Sequence, residues 1–417
     1  MRLLKDLRFL AVSVDHFVVD ALNGVPAILL AAFSVPFGLT NAAVGLLITL
    51  YGLAGALFQP FFGVASDRFG GKWLLVGGLF WMGTFFALVG LFPGEAALVF
   101  LLIAGLGSGA FHPAGTMDAA DFSRRGLAGK AATGAALFFL FGQIGSAVGP
   151  AAGGALIEGA GMSGLLALAA LCLPAILLTI LTRRGSTAPS RAHPSEPRLN
   201  LANTLSGLLR VEFVLILVMA VLRFWVQAST QAFFPKLLME QGFSSTMYGA
   251  LTGLFMVGAA VGGIAGGLLG DRIGSFPILL GATALSVVPF FLLPVTTGPL
   301  LPAVILAAGL LGIAPHSIQV TMAQNAVPGQ SGLASGMILG SMFTLGGIGV
   351  FLSGLAADRI GLTTVLQANA LLCALGAGIG LALWSLTGRH PTGEGALLPV
   401  EDLDRLPAGG GMRAGGA

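Results

Sequence analysis

A histidine and an acid stand one helical turn apart in the first apolar segment of the chain. His16, Asp20 and Asn23 follow at intervals of four and three residues, a spacing that places them on one face of an α-helix. If the segment crosses a membrane, a charge at its centre costs about 2.5–3.5 kcal/mol, so this face is expected to line a bundle interior or a water-filled cavity. A carboxyl group beside an imidazole can exchange a proton near neutral pH. The spacing therefore predicts a substrate or proton site.

A lone arginine lies well inside a later apolar segment. Arg223 is followed one turn later by Gln227. Because an arginine keeps its proton in proteins, it needs an acid, carbonyl groups or an anionic ligand as its partner. We expect Asp20 to be that partner, and we expect Arg223 to help bind an acidic or polar substrate group. The alternative is a static ion pair that fixes the packing of two parts of the molecule.

Two more histidines occupy apolar surroundings beside prolines. His112 precedes Pro113, and His316 follows Pro315. The two histidines, one from each half of the chain, could function as a pair, or they could be ordinary core histidines with satisfied hydrogen bonds. Asp118 lies further along the first of these segments, where it is either a second proton-carrying acid or a residue of a helix end.

The composition is that of a membrane protein. Of 417 residues, 56% are hydrophobic and 9% are charged, whereas soluble domains carry about 25% charged residues. The net charge of +3 gives no reason to expect nucleic acid as a partner. Neither a metal-binding nor a disulfide spacing surrounds the two cysteines. A nucleotide-binding loop and a nucleophile elbow are also missing, so we expect no enzyme activity, no metal and no cofactor.

Twelve apolar segments are long enough to cross a bilayer, which requires about 20 residues each. They are residues 9–35, 42–65, 73–92, 96–118, 130–157, 163–182, 211–239, 246–269, 276–295, 299–323, 332–356 and 363–387. If both termini are cytoplasmic, nearly all Lys and Arg residues fall on the cytoplasmic side, as the positive-inside rule requires. The sequence therefore predicts a multi-pass protein of the cytoplasmic (inner) membrane.

A glycine–acid motif recurs at the ends of four apolar segments. Three full copies have the pattern G-x-x-x-D-R-x-G, and a fourth keeps the glycines and an acid, Glu158. The copies begin at Gly63, Gly154, Gly267 and Gly354. This recurrence divides the chain into two six-helix halves, each made of two inverted three-helix repeats. The predicted parts are a first half at 1–190, a linker at 191–210, a second half at 211–390 and a disordered tail at 391–417.

These motifs resemble those of the major facilitator superfamily of transporters. The stretch from Gly63 to Lys72 is similar to the signature loop between its helices 2 and 3, and Gly145 to Gly154 with Pro150 is similar to the helix-5 motif of its antiporters. H-F-x-x-D from His16 and F-H-P from Phe111 resemble the fosmidomycin-resistance branch, although Ala114 stands where that branch has an acid. The resemblance implies alternating access, with two halves rocking about a central site.

The residues of the motifs are expected to control the change of conformation. Glycines should allow close packing against the other half, and the proline should kink its helix. The predicted gating residues are Gly63, Asp67, Arg68, Gly70, Gly149, Pro150, Asp271, Arg272, Asp358 and Arg359.

The predicted function is proton-coupled efflux of a drug-like or anionic compound by a monomer, with lipid, substrate and proton as its partners. One alternative is uptake of a small organic anion with Arg223 as the anion-binding group. Another is a membrane sensor that transports nothing.

Overall fold

The computed structural model describes residues 6–69, 71–92, 94–126, 131–183, 210–327 and 331–387, which are mostly helical. Gly70, the predicted tail at 391–417 and nearly all of the predicted linker at 191–210 lie outside the described residues. Below, residues 6–183 are called the first half and residues 210–387 the second half.

The first half consists of nine α-helices, counted over the part that is described. They are α1 (Leu7–Asn23), α2 (Val25–Phe33), α3 (Asn41–Leu57), α4 (Gln59–Phe69), α5 (Gly71–Leu91), α6 (Glu95–Gly126), α7 (Ala131–Ala160), α8 (Leu165–Ala170) and α9 (Cys172–Thr182). Side-chain caps begin two of them: Asp6 accepts from the Arg8 amide at 2.9 Å and Thr40 from the Ala43 amide at 3.1 Å. Such caps satisfy amides that have no partner within the helix.

The second half continues in the same manner. Its helices are α10 (Val211–Glu240), α11 (Ser245–Ile273), α12 (Ser275–Leu292), α13 (Leu301–Ile313), α14 (His316–Ala326), α15 (Ser331–Ile360) and α16 (Leu362–Thr387).

Eleven stretches of the described residues are long and apolar enough to cross a membrane. Ten of them correspond one to one to predicted segments. The other, Ala136–Thr182, has 47 residues and contains two predicted segments. A 3-10 turn at Gly161–Gly164 separates α7 from α8 and α9 within it, and Gly161 begins this turn with a φ of +62°. The all-helical membrane fold is thus confirmed, whereas the count of twelve crossings stays a prediction.

Glycines on α7 let two neighbouring helices approach closely. A methyl group on Gly145 or Gly149 would overlap the backbone of α1 at Phe17 and Ala21. A methyl group on Gly154 would instead overlap the backbone of α11 at Ser245. The prediction that these glycines face the other half is therefore wrong for Gly145 and Gly149. The helix continues through Pro150, whose side chain would meet a methyl group placed on Gly24.

Two acids of the recurring motif join the halves at one end of the molecule, called the far end. Asp358 accepts from the amides of Asn41 and Ala42 at 2.7 and 2.9 Å, at the start of α3. Glu158 accepts from the amide of Thr246 at 2.8 Å, at the start of α11. These two contacts are called the far-end clamps. Each places a carboxylate at the positive end of a helix that belongs to the other half.

The glycine of the motif makes room for each clamp. A methyl group on Gly354, four residues before Asp358, would lie 3.0 Å from the Cα atom of Ala42. Gly154 likewise lies four residues before Glu158, and a methyl group on it would overlap the backbone of Ser245 at the start of α11. Glycine therefore brings the backbones together, and the acid one turn later reaches the free amides. Arg359, which follows Asp358, is exposed.

The motif copies at the opposite end, called the near end, make no such contact among the described residues. Arg68, Asp271 and Arg272 are exposed, and no atom lies within 4 Å of the place where Gly63 would carry a Cβ. The side chain of Asp67 lies outside the described residues. Within the part of the chain that is described, clamps of this kind are thus found at the far end.

Replacing Asp358 with alanine should weaken the closure of the far end. Two helix amides lose their acceptors, at a cost of about 0.5–2 kcal/mol for such a cap. Distances between spin labels on α3 and α15 should show a new population with separated halves.

Asp6→Ala is the matched control, because Asp6 caps α1 within its own half. It should leave the label distances unchanged. Equal distance distributions for wild type and Asp358→Ala would contradict the role of this clamp.

Candidate functional site

A cavity of about 470 Å³ lies between the halves, beside the end of α1 and the start of α2. The first half contributes most of the polar side chains in its wall, and the residues from the second half are mainly apolar. The polar residues from the first half are Asp20, Asn23, Thr49, Tyr51, Gln59, Ser108, His112 and Ser146, and the facing wall includes Phe224, Ala228, Gln231, Thr252, Met256, Phe343 and Val350. A cavity of this size and character suits a small amphipathic molecule.

Asp20 lies between two histidines at the edge of this cavity. Its Oδ2 is 3.3 Å from Nε2 of His16, one turn earlier on α1, and its Oδ1 is 3.3 Å from Nε2 of His112 on α6. His16 is 2% exposed and His112 is 26% exposed. The sequence predicted the first contact from helical spacing, and the second depends on the packing of α6 against α1.

Backbone carbonyl groups fix the orientation of both imidazole rings. Nδ1 of His16 lies 2.9 Å from the carbonyl oxygen of Phe138, and Nδ1 of His112 lies 2.8 Å from that of Ser108. Because a carbonyl oxygen only accepts, each Nδ1 is assigned a hydrogen. Each Nε2 then faces a carboxylate oxygen, and each of these contacts requires one shared proton. Loss of either proton would leave two lone pairs facing each other, so release of a proton requires these groups to rearrange.

Asn23 extends this cluster along the cavity wall. Its amide nitrogen donates to Asp20 Oδ1 at 3.1 Å and to Ser108 Oγ at 3.0 Å, and its amide oxygen accepts from the Tyr51 hydroxyl at 2.7 Å. The predicted face of His16, Asp20 and Asn23 is thus one connected network. A ligand in the cavity would meet Asn23 and Tyr51 together with Asp20.

The same cluster offers a possible metal-binding set that the sequence spacing did not indicate. Ligand atoms of His16, Asp20 and His112 all lie within 4.8 Å of one another, and they come from two helices. However, each imidazole faces its own oxygen of Asp20, which is the arrangement of two separate hydrogen bonds. The predicted role of the cluster in carrying a proton stays a prediction.

Arg223 is bonded within the second half. Its guanidinium group donates to Gln319 Oε1 at 2.8 Å and to Gln227 Oε1 at 3.2 Å, and Nη2 lies 2.9 Å from Nδ1 of His316. The expected pairing of Arg223 with Asp20 is wrong for this conformation, because each of them is held by residues of its own half.

Arg223 does not line the central cavity, although the sequence predicted that it helps bind the substrate. Phe224, Ala228 and Gln231 line the cavity from α10, whereas Arg223 and Gln227 lie on the adjacent face towards α14. The role of Arg223 in substrate binding stays a prediction.

Asp118 is placed apart from the Asp20 cluster. It forms a two-pronged ion pair with Arg183, which follows α9. This ion pair favours the interpretation in which Asp118 carries no proton, although Asp118 lies within α6 and not at its end.

Two members of the hydrogen-bonded network around Asp20 were not predicted from the sequence. Tyr51 stands in an otherwise apolar helix, and Ser108 stands one turn before His112. A polar residue at a four-residue interval from a candidate histidine is a signal that could have identified Ser108. Tyr51 reaches Asn23 only through tertiary packing, since α3 and α1 both pack against α6.

The close fit of α7 against the cluster gives a direct test. A methyl group on Gly142 would lie 2.5 Å from His16 Nε2 and 2.7 Å from Asp20 Oδ2. Gly142→Ala should therefore displace the cluster and lower the free energy of unfolding in detergent by about 1–3 kcal/mol, the usual cost of overpacking.

Gly340→Ala is the control, since no atom lies within 4 Å of its added methyl group. It should unfold like the wild type. A Gly142→Ala protein as stable as the Gly340→Ala protein would contradict the described packing.

Comparison with known proteins agrees with this architecture. The chain is 27% identical over 375 residues to the fosmidomycin resistance protein of Escherichia coli (strain K12), covering 88% of this chain and 90% of that protein. It is also 27% identical over 388 residues to the uncharacterized MFS-type transporter YfnC of Bacillus subtilis (strain 168), with the same coverage of both chains.

Solved structures share the fold at lower sequence identity. A point variant of the nucleoside transporter NupG superimposes with a TM-score of 0.75 at 16% identity, covering 90% of this chain and all of that one. A bacterial homologue of the human lysosomal transporter Spinster, in an inward-facing and unoccupied conformation, gives a TM-score of 0.70 at 15% identity, covering 92% and 97%. The family model of the Major Facilitator Superfamily matches residues 14–349 and 216–403. The chain therefore belongs to the Major Facilitator Superfamily of membrane transporters.

Proposed function

We propose that this protein exports a small amphipathic, drug-like molecule across the cytoplasmic membrane in exchange for protons. The observation that carries the proposal is the position of Asp20, held between two histidines on the wall of a cavity between the halves. Coupling of substrate transport to proton exchange requires a group that exchanges protons and also faces the substrate cavity.

The coupling follows from competition at the cavity wall. Asn23 and Tyr51 touch both the cavity and the Asp20 cluster. A substrate that hydrogen-bonds to this wall changes the partners of Asp20, and with them its affinity for protons. Binding of substrate then favours proton release, and proton uptake favours substrate release. The name of the fosmidomycin resistance relative supports export as the direction.

The opposite walls of the cavity suggest how a substrate is held. The polar end would lie against Asn23, Tyr51 and His112, while the apolar part would pack against Phe224 and Phe343. The hydrocarbon part supplies most of the binding free energy at about 25 cal/mol per Å² of buried surface, and the polar end sets the orientation. This division favours amphipathic compounds over small, fully charged ones.

The far-end clamps suggest the conformational cycle. In this conformation Glu158 and Asp358 bind helix starts of the other half. We propose that the near-end copies of the motif, with Asp67, Arg68, Asp271 and Arg272, form corresponding contacts after the halves rock to the opposite state. The cavity would then open at the far end.

The proposal also includes the topology, orientation, oligomeric state and energy source that the sequence predicts. These are twelve crossings in inverted three-helix repeats, both termini in the cytoplasm, a monomer, and a proton gradient in place of a cofactor. Uptake of an organic anion held by Arg223 is not favoured, because Arg223 does not line the central cavity. No observation favours a sensor that transports nothing.

The test is transport into inside-out membrane vesicles under an imposed proton gradient. Wild type and Asp20→Asn would be offered a panel of amphipathic drugs, phosphonates and small organic acids. We expect a substrate of the wild type to accumulate and to evoke proton efflux, and we expect Asp20→Asn to lose at least 90% of both. The amide keeps the size of the carboxyl group but cannot carry the proton.

Glu95→Gln is the matched control, since Glu95 begins α6 at the surface and its side chain is exposed. It should transport like the wild type. Accumulation that does not depend on the gradient and survives in Asp20→Asn would overturn the exchange mechanism.

A further inference from the structure

Both imidazole rings beside Asp20 turn the same nitrogen towards its carboxyl group. Nδ1 of His16 faces the carbonyl oxygen of Phe138 at 2.9 Å. Nδ1 of His112 faces that of Ser108 at 2.8 Å. Each Nδ1 therefore carries a hydrogen, and the Nε2 atom of a neutral ring then has a lone pair only. Histidines that bind metal ions usually have this arrangement, because a carbonyl group at the other nitrogen fixes the tautomer and orients the ring.

The distances between the donor atoms suit a metal ion. Nε2 of His16 lies 3.3 Å from Asp20 Oδ2, and Nε2 of His112 lies 3.3 Å from Oδ1. Charge-assisted hydrogen bonds from nitrogen to a carboxylate are shorter, about 2.7–2.9 Å. Ligands that lie about 2.0–2.1 Å from a zinc ion in a tetrahedral site are about 3.3–3.4 Å from one another. One ligand atom from each of the three residues lies within 4.8 Å of the other two.

The cluster requires positive charge between its donor atoms. With neutral rings, both Nε2 lone pairs face the carboxylate of Asp20. Two shared protons remove this repulsion, and one divalent cation supplies the same charge. No lysine or arginine is found among the described residues that line the central cavity, so no side chain of that wall takes the place of the cation. Asp20 and His112 both line the cavity, which gives an ion access to the cluster.

We propose that His16, Asp20 and His112 bind one zinc ion. Imidazole nitrogen suits zinc and its neighbours in the first transition series, whereas magnesium and calcium prefer oxygen ligands. Three protein ligands are also the number found in zinc sites that keep a fourth position open. Here that position is on the side of the central cavity, where water or a donor group of another molecule can occupy it.

Bound zinc would inhibit transport, a consequence that rests on the function proposed above. An ion held by Asp20 and both histidines excludes the shared protons from the same atoms. It also connects α1 to α6, which carry His16 and His112. Zinc should therefore slow the exchange at the concentrations that fill the site.

Metal binding to the purified chain in detergent tests the site independently of transport. The chain would carry no histidine tag and would first be freed of metals with a chelator. We expect calorimetric titration with zinc chloride to give one ion per chain, and we expect Tm to rise with the logarithm of the zinc concentration. Cobalt(II) should give the visible absorption of a four-coordinate ion, which zinc should abolish. Magnesium chloride at the same concentrations should change neither Tm nor the cobalt spectrum.

Two variants each remove one donor of the set. His112→Phe keeps a ring and loses the nitrogen, and Asp20→Asn keeps the size of the side chain and loses the charge. Each should weaken zinc binding by at least about 10–100-fold, since even the loss of a group that orients a metal ligand has this effect.

The matched control replaces two histidines that lie outside the described residues, His193 and His390. The double variant His193→Asn, His390→Asn should bind zinc like the wild type. Equal zinc affinity in wild type, His112→Phe and Asp20→Asn would overturn the proposal, because the ion would then be bound elsewhere on the chain. A wild type without a zinc-dependent rise in Tm and without a cobalt spectrum would overturn it as well.

Transport into inside-out vesicles separates this proposal from the proposed function. Proton-coupled transport in a chain that binds no zinc would overturn the zinc site and leave the exchange mechanism in place. Transport that continues at full rate with zinc bound would overturn both the inhibition and the role of Asp20 as proton carrier, while the zinc site would stand.

Discussion

A full charge inside a bundle of apolar helices has to be compensated by groups of the protein, because lipid offers none. The two halves satisfy this requirement differently. In the first half, Asp20 is surrounded by His16, His112 and Asn23, which can share protons with it or donate hydrogen bonds. In the second half, Arg223 is surrounded by acceptors that carry no charge. The first arrangement consists of groups that can titrate, whereas the second holds an arginine, which keeps its proton.

The glycines decide how near these groups come to one another. Gly142 lies against His16 and Asp20, and further along α7 Gly145 and Gly149 lie against the backbone of α1. A larger residue at any of these places would move α7 away from the cluster. The high glycine content of the chain, 64 residues, thus serves close helix packing as well as flexibility, as is usual in membranes.

The sequence was sufficient to predict most of the helices and the family, because long apolar segments and a recurring motif are properties of local sequence. It also predicted which face of α1 is polar, since helical periodicity alone puts His16 and Asp20 together. It could not predict that Asp20 meets His112 instead of Arg223, because that choice depends on how α6 packs against α1. Likewise, the spacing of Gly145 and Gly149 predicted close packing but not whether the neighbour belongs to the same half. Distances between helices are set by tertiary contacts that leave no periodic signal in one sequence.

The far-end clamps have a consequence for the variation that this chain can tolerate. Asp358 and Glu158 bind main-chain amides of Asn41, Ala42 and Thr246, and every residue except proline provides such an amide. Substitutions at the receiving positions should therefore be nearly silent, while the acids and their glycines should tolerate very little. In each clamp, the acid and its glycine are thus more constrained than the residues whose amides they meet. At the far end, we expect sequences to vary at the residues that donate the amides and to keep the acids and glycines that face them.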